Sequence, residues 1–408
     1  MKVKNITFIH AADLHLGGMF SGFRHLPDPL FEKLITSSYK ALKNLVQTAI
    51  KEKVDFVLLA GDIYDVDQRS LKAQIQFQKA MEELNKEEIP VYLIHGNHDF
   101  LEGKYFNLSL PPNVHVFGQE VEVEEYRKDD GTTVMLYGFS YGKRHVRDRM
   151  IDGYIKQAAG DFHIGLLHGN LEGETAHGNY APFTKKDLLG KGFDYWALGH
   201  IHKRMFVLDN PTAVYPGCLQ GRNKKETGEK GFYLVELSDV GTKMEFRPVS
   251  VLDWQEERVD ASGLEMSELV RRLNERKEYL RAEGKDLLLE VTLDASDAKE
   301  EDWLYSDLDE VLEAVQEGEE TEDPMVWIHS IKVLPPVWLE EDKQVSESFL
   351  AELLDVSSNI RIEQYEDFTA PLFIHPTARR YLQGWSQEAQ QEIILEANME
   401  LMKRLNRK

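Results

Sequence analysis

The chain has 408 residues, a formal net charge of −23 and 42% hydrophobic residues, and Cys218 is its one cysteine. Its length and apolar content fit two or three soluble globular domains, and one cysteine excludes an intramolecular disulfide and suits a reducing cytoplasm. No apolar run approaches the roughly 18 residues of a membrane span, and Met1 to His15 lacks the pattern of a secretory signal, so neither insertion nor export is expected.

Ile6 to Ile9 reads as a short buried strand. Leu34, Leu42, Leu45, Val46, Ala49 and Ile50 recur at helical spacing between Leu30 and Lys53. Phe56 to Ala60 is a second buried strand, Gln68 to Asn85 a helix and Val91 to His95 a third strand. This alternation implies parallel strands joined by crossover helices. Shorter strands are expected at 114–117, 133–139, 162–168, 195–198, 214–215, 232–237 and 244–248. Together they predict a layered α/β sandwich for residues 1–252.

After Asp253 the character changes. Residues 264–283 read as a charged amphipathic helix, and 287–293 and 328–333 as strands. A small α+β domain is expected at 253–336, punctuated by Pro335 and Pro336. Residues 337–408 read as mainly helical, with an apolar stripe of Ile394, Leu395, Leu401, Met402 and Leu405. Between Asp297 and Asp323 thirteen acidic residues face one lysine, Lys299. The segment reads as a solvated acidic face and accounts for about half of the net charge.

Five short motifs each follow a predicted strand: Asp13-Leu14-His15, Gly61-Asp62-Ile63-Tyr64-Asp65, Gly96-Asn97-His98-Asp99, His168-Gly169-Asn170 and Gly199-His200-Ile201-His202. In open α/β sheets ligands bind at the carboxyl ends of the strands, so the topology brings the motifs together. Each motif alone is weak, and a lone histidine is more often core or surface. The ordered set points to a metal site. Asp13, Asp62, His15, His168, His200, His202 and Asn97 supply oxygen and imidazole nitrogen without thiolate, which suits manganese, iron or zinc over calcium. Seven ligands are too many for one ion and fit two, with Asp62 of the central motif as bridge. Two divalent ions against two carboxylates leave a positive centre for a phosphate anion, the arrangement of two-metal displacement at phosphorus. His98 is assigned to protonate the leaving oxygen or stabilise charge on phosphorus, with Asp99 orienting its imidazole or keeping it charged.

The ordered motifs resemble the calcineurin-like metallophosphoesterases. Asp13-Leu14-His15-Leu16-Gly17 and Gly61-Asp62-Ile63-Tyr64-Asp65 are similar to the SbcD-type DNA repair exonucleases. Tyr215-Pro216-Gly217, Gln220-Gly221-Arg222 and Glu226-Thr227-Gly228-Glu229-Lys230-Gly231 look like the YhaO-like branch of that group. The resemblance covers residues 1–250 well and the rest loosely. It implies a four-layer α/β/β/α sandwich with an α+β cap over DNA. It also implies a helical C-terminal segment that docks an SbcC-type coiled-coil ATPase, a dimer, and two ions, by analogy manganese. One ion would take Asp13, His15, Asp62 and His202, and the other Asp62, Asn97, His168 and His200. Some nucleases of the group have histidine where this chain has Asp65, which points Asp65 to a supporting role.

The implied substrate is DNA. Arg24 and Arg222, with the clusters Lys143, Arg144, His145, Arg147 and Lys224, Lys225, are candidate backbone contacts. A small-molecule or cyclic-nucleotide phosphodiesterase on the same scaffold is the alternative, and a structural subunit holding the ATPase is a third reading.

Overall fold

The computed structural model describes residues 4–18, 26–65, 70–103, 108–157, 160–172, 180–295 and 308–334, with a few positions of the C-terminal stretch. Arg24 and the apolar stripe, apart from Ile394, lie outside the described residues. The described chain divides into two compact units. The first comprises Met1–Gln255, Gly284–Leu288 and Glu320–Met325; the second takes Glu256–Glu283, Leu289–Glu319 and Val326–Lys408.

The first unit begins with β1 (Asn5–Ala11), α1 (Asp28–Glu52), β2 (Phe56–Ala60), α2 (Leu71–Lys86), β3 (Val91–Ile94) and β4 (Val114–Val116). There follow β5 (Glu122–Arg127), β6 (Thr133–Gly138), β7 (Phe162–His168), α3 (Lys185–Gly190), β8 (Tyr195–Gly199), β9 (Met205–Leu208) and β10 (Thr212–Tyr215). β11 (Gly231–Ser238) and β12 (Gly241–Pro248) close the unit. One six-stranded sheet runs β12-β11-β1-β2-β3-β4 and the other β5-β6-β7-β8-β10-β9. β1 to β4 are parallel, as are β6, β7, β8 and β10. Antiparallel pairs flank both runs.

Alternation along the strands builds the layers. Phe8, Phe56, Leu58 and Ile94 of one sheet pack with Leu136, Ile164, Leu166 and Tyr195 of the other. The opposite face of the first sheet, including Ile9, Val57 and Leu59, packs with Leu42, Leu45 and Val46 of α1 and Phe77 and Met81 of α2. Beyond the second sheet Tyr137, Leu167 and Trp196 pack with Leu188 of α3. The four-layer α/β/β/α sandwich is therefore observed. α2 starts where Ser70 caps it, its side chain accepting from Ala73 N–H at 3.1 Å. His10 spans the two sheets, accepting from the Tyr195 hydroxyl at 2.9 Å and donating to Leu198 O at 3.1 Å. Burial pushes its imidazole down to about 3, so it stays neutral. This is a core histidine.

In the two six-stranded sheets two strands escaped the hydrophobic pattern, β5 and β9. Both are sheet edges and half-exposed, so neither carries the apolar signature of the central strands.

Beyond β12 come β13 (Leu252–Asp260), α4 (Met266–Arg281), β14 (Asp286–Asp294), α5 (Leu308–Gln316) and β15 (Val326–Val333), with the sheet order β13-β14-β15. α4 and α5 pack on one another and on β15. The described part of the acidic segment is a solvated face, with Asp309, Glu310, Glu313, Glu317, Glu320, Glu322 and Asp323 exposed, and one carboxylate departs from it. Glu319, inside it, is only 2% exposed. It takes Lys277 Nζ at 2.7 Å, both Arg281 terminal nitrogens at 3.0 Å and Val326 N–H at 2.6 Å. No described helix is long and apolar enough to cross a membrane.

Candidate metal centre

The five motifs converge at the carboxyl ends of β1, β2, β3, β7 and β8. The loop after β1 is laced to the loop after β2. Asp13 N donates to Gly61 O at 3.0 Å, His15 N to Asp62 O at 3.0 Å and Leu16 N to Ile63 O at 2.9 Å. Asp13, His15, Asp62 and His200 all have positive φ, at 52°, 43°, 53° and 103°. Such backbone is unfavourable for side chains with a Cβ and is held only where neighbours over-determine it. Two glycines make room. Gly61 has φ 91° and lies against the His168 ring, and a Cβ on Gly96 would run into Asp62 Oδ1 and His168 Nε2.

The side chains meet in a compact cluster. His15 Nε2 lies 3.0 Å from His202 Nε2 and 3.7 Å from Asp62 Oδ2. His202 Nε2 lies 3.9 Å from Asp13 Oδ1. His168 Nε2 is 3.4 Å from Asp62 Oδ2, and Asn97 Oδ1 lies 3.1 Å from both His168 Nε2 and His200 Nδ1. Asp13, His15, Asp62, Asn97 and His168 are all buried, and His98, His200 and His202 are half-buried. The structure brings all eight sequence-predicted residues together. Arg24 lies outside the described residues.

Asp99 behaves differently from its expected role beside His98. Its carboxylate accepts from Gly96 N–H at 2.7 Å, Ile63 N–H at 2.9 Å and His95 Nδ1 at 2.9 Å. It staples the loop carrying Asp62 to the loop carrying Asn97. The carboxylate facing His98 Nδ1 is that of Asp65, at 3.5 Å, and its other oxygen accepts from Arg222 Nη1 at 2.6 Å. Burial disfavours a charged His98, and Asp65 and Asp62 outweigh it, raising the imidazole above its ordinary value. Adjacency in sequence pointed to Asp99; the turn after Gly96 directs the two side chains apart.

The donor set fits divalent metal. His15 Nε2 and His202 Nε2 face each other at 3.0 Å, a distance that one N–H···N bond satisfies. Ligand distances of about 2.1 Å to one ion leave neighbouring donors about 3 Å apart, so the same spacing suits a shared cation. Among the described residues, donor atoms of Asp13, His15 and His202 lie within 4.8 Å of one another, as do those of Asp13, Asp62 and His168. The electrostatics agree. Burial pushes Asp13 up to about 6. Burial also opposes ionisation of Asp62, but His168 outweighs it and holds that group well below the usual carboxylate range. His168, against its own burial, is drawn up to about 9 by Asp62. The carboxylates thus call for a cation, and a divalent ion supplies it while leaving the imidazoles neutral.

Outer partners orient the candidate ligands. His168 Nδ1 donates to Ala60 O at 2.9 Å, which leaves Nε2 for the centre. His202 Nδ1 faces Glu226 Oε1 at 2.7 Å. Sequence reading gave Glu226 no role; its one available signal was a carboxylate in the glycine-bearing loop soon after the last histidine motif.

A family model for calcineurin-like phosphoesterases matches residues 6–204. The chain is also 37% identical, over 98% of each protein, to "Uncharacterized metallophosphoesterase YhaO" of Bacillus subtilis (strain 168). The chain is a calcineurin-like metallophosphoesterase. This metallophosphoesterase has more distant relatives described as DNA double-strand break repair protein Mre11. That of Methanopyrus kandleri is 25% identical over 78% of this chain and 73% of its own length. That of Thermoplasma acidophilum is 26% identical over 57% and 62%. As in its family, the metallophosphoesterase centre is one for two divalent ions.

Proposed function

We propose that this metallophosphoesterase hydrolyses DNA phosphodiester bonds as an exonuclease in repair, in the cytoplasm, as the nuclease subunit for an SbcC-type coiled-coil ATPase. One observation carries the DNA reading. Exposed Lys143, Arg144 and Arg147 lie on a segment joined directly to the surroundings of the metal centre. Ala181 N donates to Val146 O at 2.7 Å. The His145 ring stacks on Tyr180 at 5.5 Å between centroids, and Tyr180 contacts the His200 ring at 5.0 Å. A cationic strip beside a phosphoesterase centre, in a protein of net charge −23, suits a polyanion that extends past the scissile bond. The Mre11 relatives support the same reading.

In this reading Asp13, His15, Asp62 and His202 hold one ion and Asp62, Asn97, His168 and His200 the other, with manganese as the native metal. Bound there, the ions would supply positive charge to the phosphoryl group and make a nucleophile available at neutral pH. The chain's own residues do the rest. His98 passes a proton to the leaving 3′ or 5′ oxygen. Asp65 steadies the His98 ring from Nδ1. Arg222, held by Asp65, offers its guanidinium to a phosphate oxygen. Residues 253–336 serve as a cap domain and 337–408 as the docking segment for the ATPase, and the active form is a homodimer.

The test compares end-labelled single- and double-stranded DNA with a chromogenic phosphodiester, each with manganese, magnesium or zinc. Wild type is expected to degrade DNA with manganese, and Asp62→Asn and His98→Ala to fail. Efficient cleavage of the chromogenic diester with intact DNA would move the assignment to a small-molecule or cyclic-nucleotide phosphodiesterase.

A further inference from the structure

Glu226 meets two N–H donors with one carboxylate, and the Cys218 thiol lies 3.9 Å from its Oε2. Oε1 stands 2.7 Å from His202 Nδ1, and Oε2 accepts the Arg222 backbone N–H at 2.7 Å. The Glu226 side chain is 10% exposed, so water is a poor substitute for either bond. The far side of the same imidazole, Nε2, is turned to His15 Nε2 at 3.0 Å and Asp13 Oδ1 at 3.9 Å.

A neutral imidazole carries one N–H, and its other nitrogen carries the lone pair that binds metal. A carboxylate at Nδ1 fixes the N–H there and leaves the lone pair on Nε2. Glu226 Oε2 accepts a backbone N–H and Oε1 faces Nδ1, so the geometry makes both oxygens acceptors. We propose that Glu226 is a positioning residue that sets the tautomer of His202 for metal ligation and, through its second oxygen, fixes the backbone that carries Arg222. The proposal rests on the two-metal reading of the centre. It makes the two ions unequal. The ion held by Asp13, His15, Asp62 and His202 depends on Glu226, and the ion held by Asn97, His168 and His200 does not.

Glutamine is an informative replacement. Its amide has one acceptor and one donor group, and the site presents two N–H donors. The Arg222 backbone N–H can only donate and so takes the amide oxygen, which leaves the amide NH2 facing His202 Nδ1, so Glu226→Gln keeps the volume and favours the Nε2–H tautomer. The experiment strips the full-length protein with chelator and titrates manganese alone by calorimetry into wild type, Glu226→Gln and Glu226→Ala. In parallel, nitrogen-15 histidine spectra of the metal-free proteins report the His202 tautomer. Wild type is expected to bind two ions and to show His202 protonated at Nδ1. Each variant is expected to lose about 10- to 100-fold in affinity at one ion only, with His202 shifted toward the Nε2–H form. Unchanged affinity at both ions in a folded variant, or an unchanged His202 tautomer, overturns the proposal. Should Glu226→Ala fail to fold, Glu226→Gln and the tautomer spectrum decide. Failure of wild type to bind two ions defeats the two-metal reading instead, and the metal-free tautomer still reads the Glu226 to His202 link on its own.

Discussion

Both compact units bury carboxylates among basic side chains, with opposite outcomes. In the second unit Glu319 takes a lysine, both ends of a guanidinium and a backbone amide, so its charge is answered within a few ångströms. In the first unit Asp13 and Asp62 take the backbone amides of His200 and His98, while imidazole nitrogens crowd toward one another around them. The first arrangement closes on itself and serves structure. The second converges on points between the side chains and serves a ligand. Buried charge alone does not mark a functional site; the direction of the lone pairs does.

The largest effect separating the two clusters is expected from Asp62→Asn. It should reduce phosphodiester turnover at least ~10³-fold, since the charge proposed to bridge the ions and the anchor for His98 N–H both change. Turnover within tenfold of wild type would remove Asp62 from the centre. Next comes Glu319→Ala, which leaves Lys277 and Arg281 without their shared counter-charge. Loss of one partner of a buried pair costs about 3–5 kcal/mol, so hydrogen exchange in α4 and β15 should rise steeply. Protection equal to wild type would show that the cluster contributes nothing. Manganese should act on the first unit alone: at one hundred times its dissociation constant it stabilises the form that binds it by about 2.7 kcal/mol. The chelator-stripped protein should therefore melt lower, and coincident melting curves would count against a folded-state metal site.

A smaller effect follows from acid. Burial opposes the Glu319 charge, and Arg281 and Lys277 outweigh it, holding the carboxyl below its usual value. The group therefore contributes stability above the unfolded pKa of about 4.3, and that contribution is lost as pH falls through the lower folded value. Glu319→Gln should flatten the pH dependence of unfolding in that range; an unchanged slope would refute the assignment. The smallest effect is expected from the exposed Arg271–Glu275 pair on α4. Glu275→Ala should leave the melting temperature unaltered within error.

The clustering of the site residues was legible in the sequence because they stand directly after buried strands, and strand order alone gathers them. Asp13, Asp62 and His168 needed no more than that. The second layer was not legible in the same way. Asp99 is next to His98 in sequence and Asp65 belongs to the Asp62 motif, and only the path of the turn after Gly96 decides which carboxylate faces His98. Glu226 comes from a loop whose course no periodicity reports. Glu319 was hidden differently: within an acidic run, composition cannot distinguish the one carboxylate turned inward from its solvated neighbours. The edge strands β5 and β9 were missed because half-exposed strands lack the apolar run of β2 or β8.

The left-handed backbone at Asp13, His15, Asp62 and His200 bears on how this enzyme can be engineered. Each of these positions would sit more comfortably with glycine, and Asp13 or Asp62 with asparagine. A screen for heat resistance, blind to turnover, would therefore be drawn to the very positions proposed to hold the metals. Selecting for survival and for catalysis together is the way to keep such gains from emptying the centre.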